Sequence, residues 1–114
     1  MSTRGAQAEQ LAAQFLQRHG LKLLQQNYRC RYGEIDLILQ DGDTLVFAEV
    51  RLRSRSDFGG AAASINAAKQ AKLARTAQHY LAAQKHIPPC RFDALLFDAL
   101  DSSGVEWIRN AFSL

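Results

Sequence analysis

Residues 33–38 read Gly-Glu-Ile-Asp-Leu-Ile, and residues 46–51 read Val-Phe-Ala-Glu-Val-Arg. Both stretches are largely apolar, and the Asp-Gly dipeptide at 41–42 between them is a strong signal for a two-residue turn. The pattern therefore predicts a β-hairpin. Its strands also carry carboxylates and an arginine, although charged side chains are seldom buried unless they are paired or bind a metal. The fold and any candidate site both depend on this hairpin.

The predicted turn determines which side chains of the hairpin share a face. With residues 41–42 as the loop, Asp36 lies opposite Phe47. Glu49 is then a diagonal neighbour of Asp36 on the same face, within reach of its side chain. Arg51 follows on that face because the side-chain period of a strand is two. A loop of odd length would move Asp36 to the other face, so the register is a prediction that the structure tests.

The segments around the hairpin predict an α/β fold. Apolar residues recur at helical spacing over Thr3–His19 and Ala61–Gln84, which predicts two helices. Further strands are predicted over Leu21–Arg29, Arg91–Leu100 and Val105–Arg109. The second strand of the hairpin is apolar on both faces until its charged end, as in a central strand covered by helices. The prediction is a mixed central β-sheet flanked by helices, in the order α-β-β-β-α-β-β.

The composition is that of an ordinary globular protein. Of 114 residues, 47% are hydrophobic and 22% are charged, and residues 1–114 are expected to form one domain. The sequence has no apolar run of membrane-spanning length and no apolar core of a signal peptide near its start. A cytoplasmic protein without membrane contact is therefore expected. Cys30 and Cys90 lack a metal-binding or redox spacing, so free thiols are expected.

The positive charge is unevenly distributed along the chain. The formal net charge is +3. No carboxylate occurs between Phe58 and Phe92, and the basic residues of that region are Lys69, Lys72, Arg75, Lys85 and Arg91. Such a surface suits a polyanion such as nucleic acid, although a solvated helix face explains it equally well. Because Lys69 is four residues from both Ile65 and Leu73, its ammonium either extends along the helix or points at an anionic group.

Two acids and a cation on one sheet face have a specific chemical use. Carboxylate oxygens bind Mg²⁺, a hard cation that also binds phosphate oxygens. Such a metal activates a coordinated water and neutralises charge on a phosphodiester, and a neighbouring Lys or Arg stabilises the charge that develops. On the spacing of Asp36, Glu49 and Arg51 alone, a structural explanation is favoured, in which the acids pair with nearby arginines.

The same residues resemble the signature of the YraN-like family of small, largely uncharacterised bacterial proteins. The resemblance covers nearly the whole chain, and the matching motifs are residues 33–38, residues 47–53, Gly5-x-x-Ala8-Glu9, Tyr28-Arg29, Lys69 and Arg91-Phe92-Asp93. Such proteins are assigned to the restriction-endonuclease-like superfamily and are similar to archaeal Holliday-junction resolvases. The resemblance therefore implies a restriction-endonuclease-like core.

The resemblance also implies a metal site. Asp36 matches the acid of a Pro-Asp-like motif and Glu49 the acid of a Glu-x-Lys motif, and in the superfamily these acids hold Mg²⁺ or Mn²⁺. An N-terminal helix glutamate, matched by Glu9, often completes the site, although a glutamate in a first helical turn is more commonly solvated. By the same analogy, the backbone carbonyl of Val50 is a further ligand.

Position 51 departs from the superfamily motif. Where that motif has lysine, this chain has Arg51. A guanidinium keeps the positive charge and can clamp a phosphate bidentately, but it cannot act as a general base. Activity is expected to survive if the lysine stabilises charge and to be lost if it transfers a proton. Lys69 is a candidate source of the missing ammonium.

The leading hypothesis is a metal-dependent endonuclease that hydrolyses phosphodiesters in branched or otherwise structured DNA. In this hypothesis Asp36, Glu49 and Glu9 bind the metal, and Arg51 contacts the scissile phosphate. Non-specific backbone affinity, which falls with salt, is expected from Arg53, Arg55, Lys69 and Lys72.

Two other classes of function stay open. One is a catalytically inactive nucleic-acid-binding module that retains the nuclease fold, an alternative that Arg51 supports. The other is a protein-interaction domain in which the apolar tail, Trp107-Ile108 and Ala111-Phe112, forms a subunit contact. A homodimer is a further expectation, since enzymes that cut two strands often work as two-fold dimers.

Overall fold

The computed structural model of the chain describes residues 4–52, 65–98 and 104–112. The helices and strands within these ranges are α1 (Arg4–Arg18), β1 (Lys22–Cys30), β2 (Gly33–Asp41), β3 (Thr44–Leu52), α2 (Ala67–Leu81), β4 (Cys90–Phe97) and β5 (Val105–Phe112). The predicted order α-β-β-β-α-β-β is confirmed. Neither helix in these ranges is long and apolar enough to cross a bilayer.

Within the described residues, five strands form one mixed sheet in the order β1-β2-β3-β4-β5. Strands β3 and β4 pair in parallel, whereas the other neighbouring pairs are antiparallel. The parallel pair requires a crossover connection, and α2 provides it. This architecture is consistent with the restriction-endonuclease-like core that the family resemblance implies.

The helices cover opposite faces of the sheet. A cluster that includes Leu16 and Val46 lies between α1 and the sheet, and a second cluster that includes Phe47 and Leu73 lies between α2 and the sheet. Successive residues of β3 thus point into different cores, because side chains alternate along a strand. The prediction that β3 is a central strand buried on both faces is confirmed.

The predicted register of the hairpin is wrong by two positions. The turn is formed by Gly42 and Asp43, so that Asp41 pairs with Thr44 and Leu37 pairs with Ala48. Gly42 has φ +60° and stands first in the two-residue loop, where a type II′ turn requires a positive φ. Because side chains alternate between the two faces of a strand, a shift of two residues leaves each side chain on the face predicted for it. The side chains predicted to share a face therefore still do so, and their alignment along the strand changes.

Several predicted boundaries also differ. Helix α2 starts after Asn66, whose Oδ1 accepts a hydrogen bond of 2.9 Å from the backbone N–H of Lys69. Of the longer helix predicted from Ala61, residues 61–64 lie outside the described residues, as do Arg53 and Arg55. The nucleic-acid contacts expected of those two arginines therefore stay predictions.

Strand β5 is longer than predicted, and its apolar side chains pack within this chain. The strand continues to Phe112, whose ring stacks on Phe92 with the centroids 4.8 Å apart. Trp107 packs against the core on the α1 side, and Ile108 packs against the core on the α2 side. The residues suggested for a subunit contact thus already contribute to the core of their own chain.

Candidate metal centre

The predicted site residues converge on a cleft of about 330 Å³ where α1, β2, β3 and α2 meet. The lining residues are Gly5, Ala8, Glu9, Glu34, Asp36, Glu49, Val50, Arg51, Leu52 and Lys69. The cleft contains all five residues for which a catalytic role is predicted. It does not include Lys72, which lies further along α2 and is exposed.

The cleft opens where two strands of the hairpin separate. Backbone pairing between β2 and β3 ends at Leu37 opposite Ala48. Two residues beyond Ala48, the backbone N–H of Val50 donates to Asp36 Oδ2 over 2.8 Å. A side-chain carboxylate thus accepts a hydrogen bond from β3 beyond the end of the ladder, which anchors Asp36 at the opening between the strands.

Three carboxylates approach one another beside this opening. One carboxylate oxygen from each of Glu9, Glu34 and Asp36 lies within 4.8 Å of the other two. Glu9 comes from α1, whereas Glu34 and Asp36 come from β2. The structure therefore adds Glu34 to the acids predicted as metal ligands. Glu34 also pairs with Arg29, with 2.8 Å between the carboxylate Oε2 and the guanidinium Nε.

Asn27 positions two of these acids, and the sequence analysis missed it. With its carboxamide oriented so that the nitrogen donates, Asn27 bonds Glu9 Oε1 at 2.7 Å and Glu34 Oε1 at 3.2 Å. Its backbone has φ +53° in the middle of β1, a left-handed conformation that asparagine tolerates better than most residues. The available signal was an asparagine, a poor strand former, inside a predicted strand.

The fourth acid, Glu49, is contacted by both candidate cations. Arg51 Nη2 lies 3.3 Å from Glu49 Oε1, and Lys69 Nζ lies 3.9 Å from the same oxygen. The Glu49 side chain is only 7% exposed. Its other oxygen, Oε2, is buried and has no hydrogen-bond partner among the described residues. Lys69 thus points toward the acidic cleft instead of along the helix.

The electrostatics of the cleft favour an additional positive charge. Burial, followed by the nearby Asp36 carboxylate, raises the pKa of Glu49 from 4.5 to about 7. Burial also raises the pKa of Asp36, although the Val50 N–H opposes the shift. Burial and the neighbouring Asp36 raise the pKa of Glu9 as well. The cations present therefore do not compensate for crowding and desolvation of the acids.

The donor set fits a hard divalent cation. The clustered side-chain donors are all carboxylate oxygens. Mg²⁺ and Mn²⁺ prefer such oxygen ligands over softer ligands such as thiolates. Glu49 Oε2 supplies a buried oxygen that lacks a partner in the described part of the chain. The acids whose oxygens lie close enough together to share one ion are Glu9, Glu34 and Asp36, and Glu49 lines the same cleft outside this group.

We expect the metal-free protein to lose stability as the pH rises from about 4.5 to about 7. Because the pKa of Glu49 is raised on folding from 4.5 to about 7, the folded state binds more protons than the unfolded state in this window. The resulting stabilisation is complete below about pH 4.5 and is lost as the pH passes about 7. Its size, on the order of 3 kcal/mol, is measured by denaturant unfolding in EDTA across this range.

A matched pair of substitutions assigns this pH dependence. Glu49→Gln removes one titrating group and should reduce the slope, and the slope that remains is expected from Asp36 and Glu9, whose pKa values burial also raises. Asp43→Asn, in the exposed hairpin turn, should leave the slope unchanged. A slope in Glu49→Gln as steep as that of the unmodified protein would contradict the assignment to Glu49.

The fold and the site define an α/β protein with an acidic cleft at the end of its central strand, lined by one cation from β3 and one from α2. The chain belongs to the family described as Uncharacterised protein family UPF0102, whose model matches residues 8–97. This match confirms the YraN-like resemblance.

Close relatives share almost the full length of the chain. A UPF0102 protein of Nitrosomonas europaea is 61% identical over 109 residues, which cover 96% of this chain and 92% of the relative. One of Methylobacillus flagellatus is 54% identical over 114 residues, with 99% of both chains covered. One of Dechloromonas aromatica is 52% identical over 112 residues, covering 98% and 90%. These relatives carry the family name alone, so an activity has to be argued from the cleft.

Proposed function

We propose that this protein is a metal-dependent endonuclease acting on branched or otherwise structured DNA. The observation that carries the proposal is the convergence of four carboxylates and two cations in one cleft. Acids that share a hard cation beside a Lys or Arg are suited to hydrolysis of a phosphodiester. A purely structural role explains the arrangement less well, because most buried polar atoms are hydrogen-bonded, whereas Glu49 Oε2 has no partner among the described residues.

The acids have the role of holding the metal. Asp36 is the central ligand, since it belongs to the group with Glu9 and Glu34 and also raises the pKa of Glu49. Asn27 holds Glu9 and Glu34 by hydrogen bonds from its carboxamide. A bound Mg²⁺ or Mn²⁺ supplies an activated water and neutralises charge on the phosphodiester.

The cations have the role of binding the scissile phosphate. Arg51 is 31% exposed and lines the cleft, so its guanidinium can contact both Glu49 and a phosphate. A guanidinium stays protonated at physiological pH, and Arg51 therefore acts by charge and not by proton transfer. Lys69 contacts the same Glu49 oxygen from α2 and supplies the ammonium that the superfamily motif places at position 51.

The test of this proposal is an assay with branched and linear DNA of equal length, each with Mn²⁺ or with EDTA. We expect cleavage of the branched DNA in Mn²⁺ and none in EDTA, with binding that falls as salt is raised. Binding without cleavage in Mn²⁺ would instead identify an inactive nucleic-acid-binding module. An absence of DNA binding at low salt would leave a protein-interaction domain as the better explanation.

Replacing Lys69 by Met should lower the cleavage rate about 10- to 100-fold, because one of two cations beside the phosphate is removed. Lys22→Met is the matched control, since Lys22 is exposed at the start of β1, away from the cleft, and its rate should not change. Single-turnover cleavage at saturating protein separates this effect from weaker binding. An unchanged rate in Lys69→Met would rule out the role assigned to its ammonium.

A further inference from the structure

The turn that joins β1 and β2 presents an exposed aromatic ring beside an arginine. Tyr32 is 37% exposed. Arg31 Nη2 donates to Tyr32 Oη over 2.6 Å, and the Arg31 guanidinium carbon lies 4.8 Å from the centre of the tyrosine ring. Aromatic rings and guanidinium planes are the groups on which unpaired nucleic-acid bases stack. The pair accounts for no part of the core or of the acidic cleft.

This turn faces the second half of α2 across a groove of about 390 Å³ lined by Tyr32, Arg75, Gln78 and His79. The ring centres of Tyr32 and His79 are 6.2 Å apart. His79 Nδ1 is in turn hydrogen-bonded to Tyr28 Oη at 2.5 Å, which holds the imidazole in place. The four lining side chains include an aromatic ring, an arginine and an imidazole, and none of them is a carboxylate.

The turn is held closely against α2. A Cβ atom at Gly33, the residue after Tyr32, would lie 3.2 Å from Thr76 Oγ1. Thr76 is fully buried and its hydroxyl donates to the Lys72 carbonyl over 2.8 Å, so the backbone of the turn packs against a well-held residue of α2. The position of the turn relative to α2 is therefore set by the fold, and exposed side chains of the turn and of α2 line the groove between them.

The groove and the acidic cleft lie along the same helix. Lys69 lines the cleft, and Arg75 and His79 line the groove. At about 1.5 Å per residue, Arg75 is roughly 9 Å and His79 roughly 15 Å along the axis from Lys69. One strand of a duplex advances about 3.4 Å per phosphate. Arg75 and His79 are also rotated by about 120° and about 80° around the helix from Lys69, so a strand with its scissile phosphate in the cleft would reach the groove only after passing partly around α2, within a few nucleotides.

We propose that this groove is a second nucleic-acid subsite, in which an unpaired base stacks on Tyr32 and an adjacent phosphate binds Arg75. This inference rests on the proposed function for the position of the scissile phosphate. A base can stack on a protein ring only when it is unstacked from its own helix. The subsite therefore selects DNA with unpaired nucleotides within a few positions of the cut, such as a gap or a branch, over continuous duplex.

The test compares binding of a gapped DNA and a continuous duplex by fluorescence anisotropy in EDTA, with the full chain. Tyr32→Ala should weaken binding of the gapped DNA roughly 5- to 100-fold, the range for loss of one stacked base, and should change duplex binding little. Tyr32→Phe keeps the ring and should retain most of the affinity. Leu24→Ala, at an exposed position of β1 (40% exposed) outside the groove, is the control and should bind both DNAs normally.

The phosphate contact is tested in the same way. Arg75→Gln should weaken binding of the gapped DNA and reduce its salt dependence by about one ion. Arg18→Gln, in the last turn of α1 on the opposite face of the sheet, should do neither. Equal thermal midpoints of the variants show that the fold is intact.

The outcomes separate this inference from the proposed function. Metal-dependent cleavage together with normal gapped-DNA binding by Tyr32→Ala would overturn the subsite and leave the endonuclease standing. Selective loss of gapped-DNA binding in Tyr32→Ala, with no cleavage by the unmodified protein, would support the subsite and refute the endonuclease. A protein that binds neither DNA at low salt would overturn both.

Discussion

Asp36→Asn should reduce metal-dependent cleavage by about a thousandfold, because a several-kcal/mol contribution of the metal to the transition state is lost with its central ligand. The same substitution should not unfold the protein. Its amide oxygen can still accept the hydrogen bond that the Val50 N–H donates to Asp36 at 2.8 Å. Cleavage is measured in Mn²⁺ on branched DNA under single-turnover conditions.

The metal-free Asp36→Asn protein should be as stable as the original or more stable, by about 1 kcal/mol. Burial raises the pKa of Asp36 in the folded state, so its ionised form opposes folding at neutral pH. Removing the charge relieves that cost. Denaturant unfolding in EDTA at about pH 7.5 measures this difference.

Asp43→Asn is the control for Asp36→Asn, because it makes the same chemical change at the other end of the hairpin. Its cleavage rate and stability should match those of the unmodified protein. Cleavage by Asp36→Asn at more than a tenth of the original rate would show that the cleft does not hold the catalytic metal.

Asp93→Ala should lower the free energy of unfolding by about 3–5 kcal/mol, the usual cost of removing one partner from a buried ionic network. Asp93 is fully buried. Its carboxylate accepts hydrogen bonds from Arg91 Nε at 3.0 Å, Trp107 Nε1 at 3.0 Å and the Asn110 backbone N–H at 2.9 Å. The substitution leaves all three donors without this partner. Because a domain is typically stable by only about 5–15 kcal/mol, the loss is readily measured by urea unfolding.

The effect of Asp93→Ala should be confined to stability. Asp93 does not line the acidic cleft, so cleavage per folded molecule, measured well below the unfolding transition, should be unchanged. Asp43→Ala truncates an exposed acid and should cost little. A loss below about 1 kcal/mol in Asp93→Ala would mean that the network contributes much less than its burial indicates.

The acid pair and its cations were predictable because the relevant periodicities are local. The turn assignment was wrong, yet Asp36, Glu49 and Arg51 still meet, since a shift of two residues preserves the face of a strand. Lys69 reaches the cleft for a similar reason. Its spacing of four from Ile65 and from Leu73 places it on the inward side of a helix, and one oxygen of Glu49 lies 3.9 Å from its ammonium.

The rest of the cleft was not predictable from spacing. Glu34 lies in the part of β2 before Leu37, where this strand is no longer paired with β3, and there it joins the other acids. The alternation of side chains that predicts a shared face applies to paired strands and does not describe this end of the hairpin, where β2 and β3 are unpaired. Asn27 holds two acids from a left-handed backbone conformation in the middle of a strand. Neither feature has a periodic signal. Both depend on how β1, β2 and α1 come together.

The sequence by itself determined the order of helices and strands, the central position of β3, and the face shared by Asp36 and Glu49. These follow from periods of two and about 3.6 residues, which neighbouring residues in the chain establish. Only the tertiary structure decided that Glu9 reaches Asp36, that Asp93 is buried, and that the Tyr32 turn lies against α2. Each is a contact between residues distant in sequence, and packing of the helices on the sheet determines it.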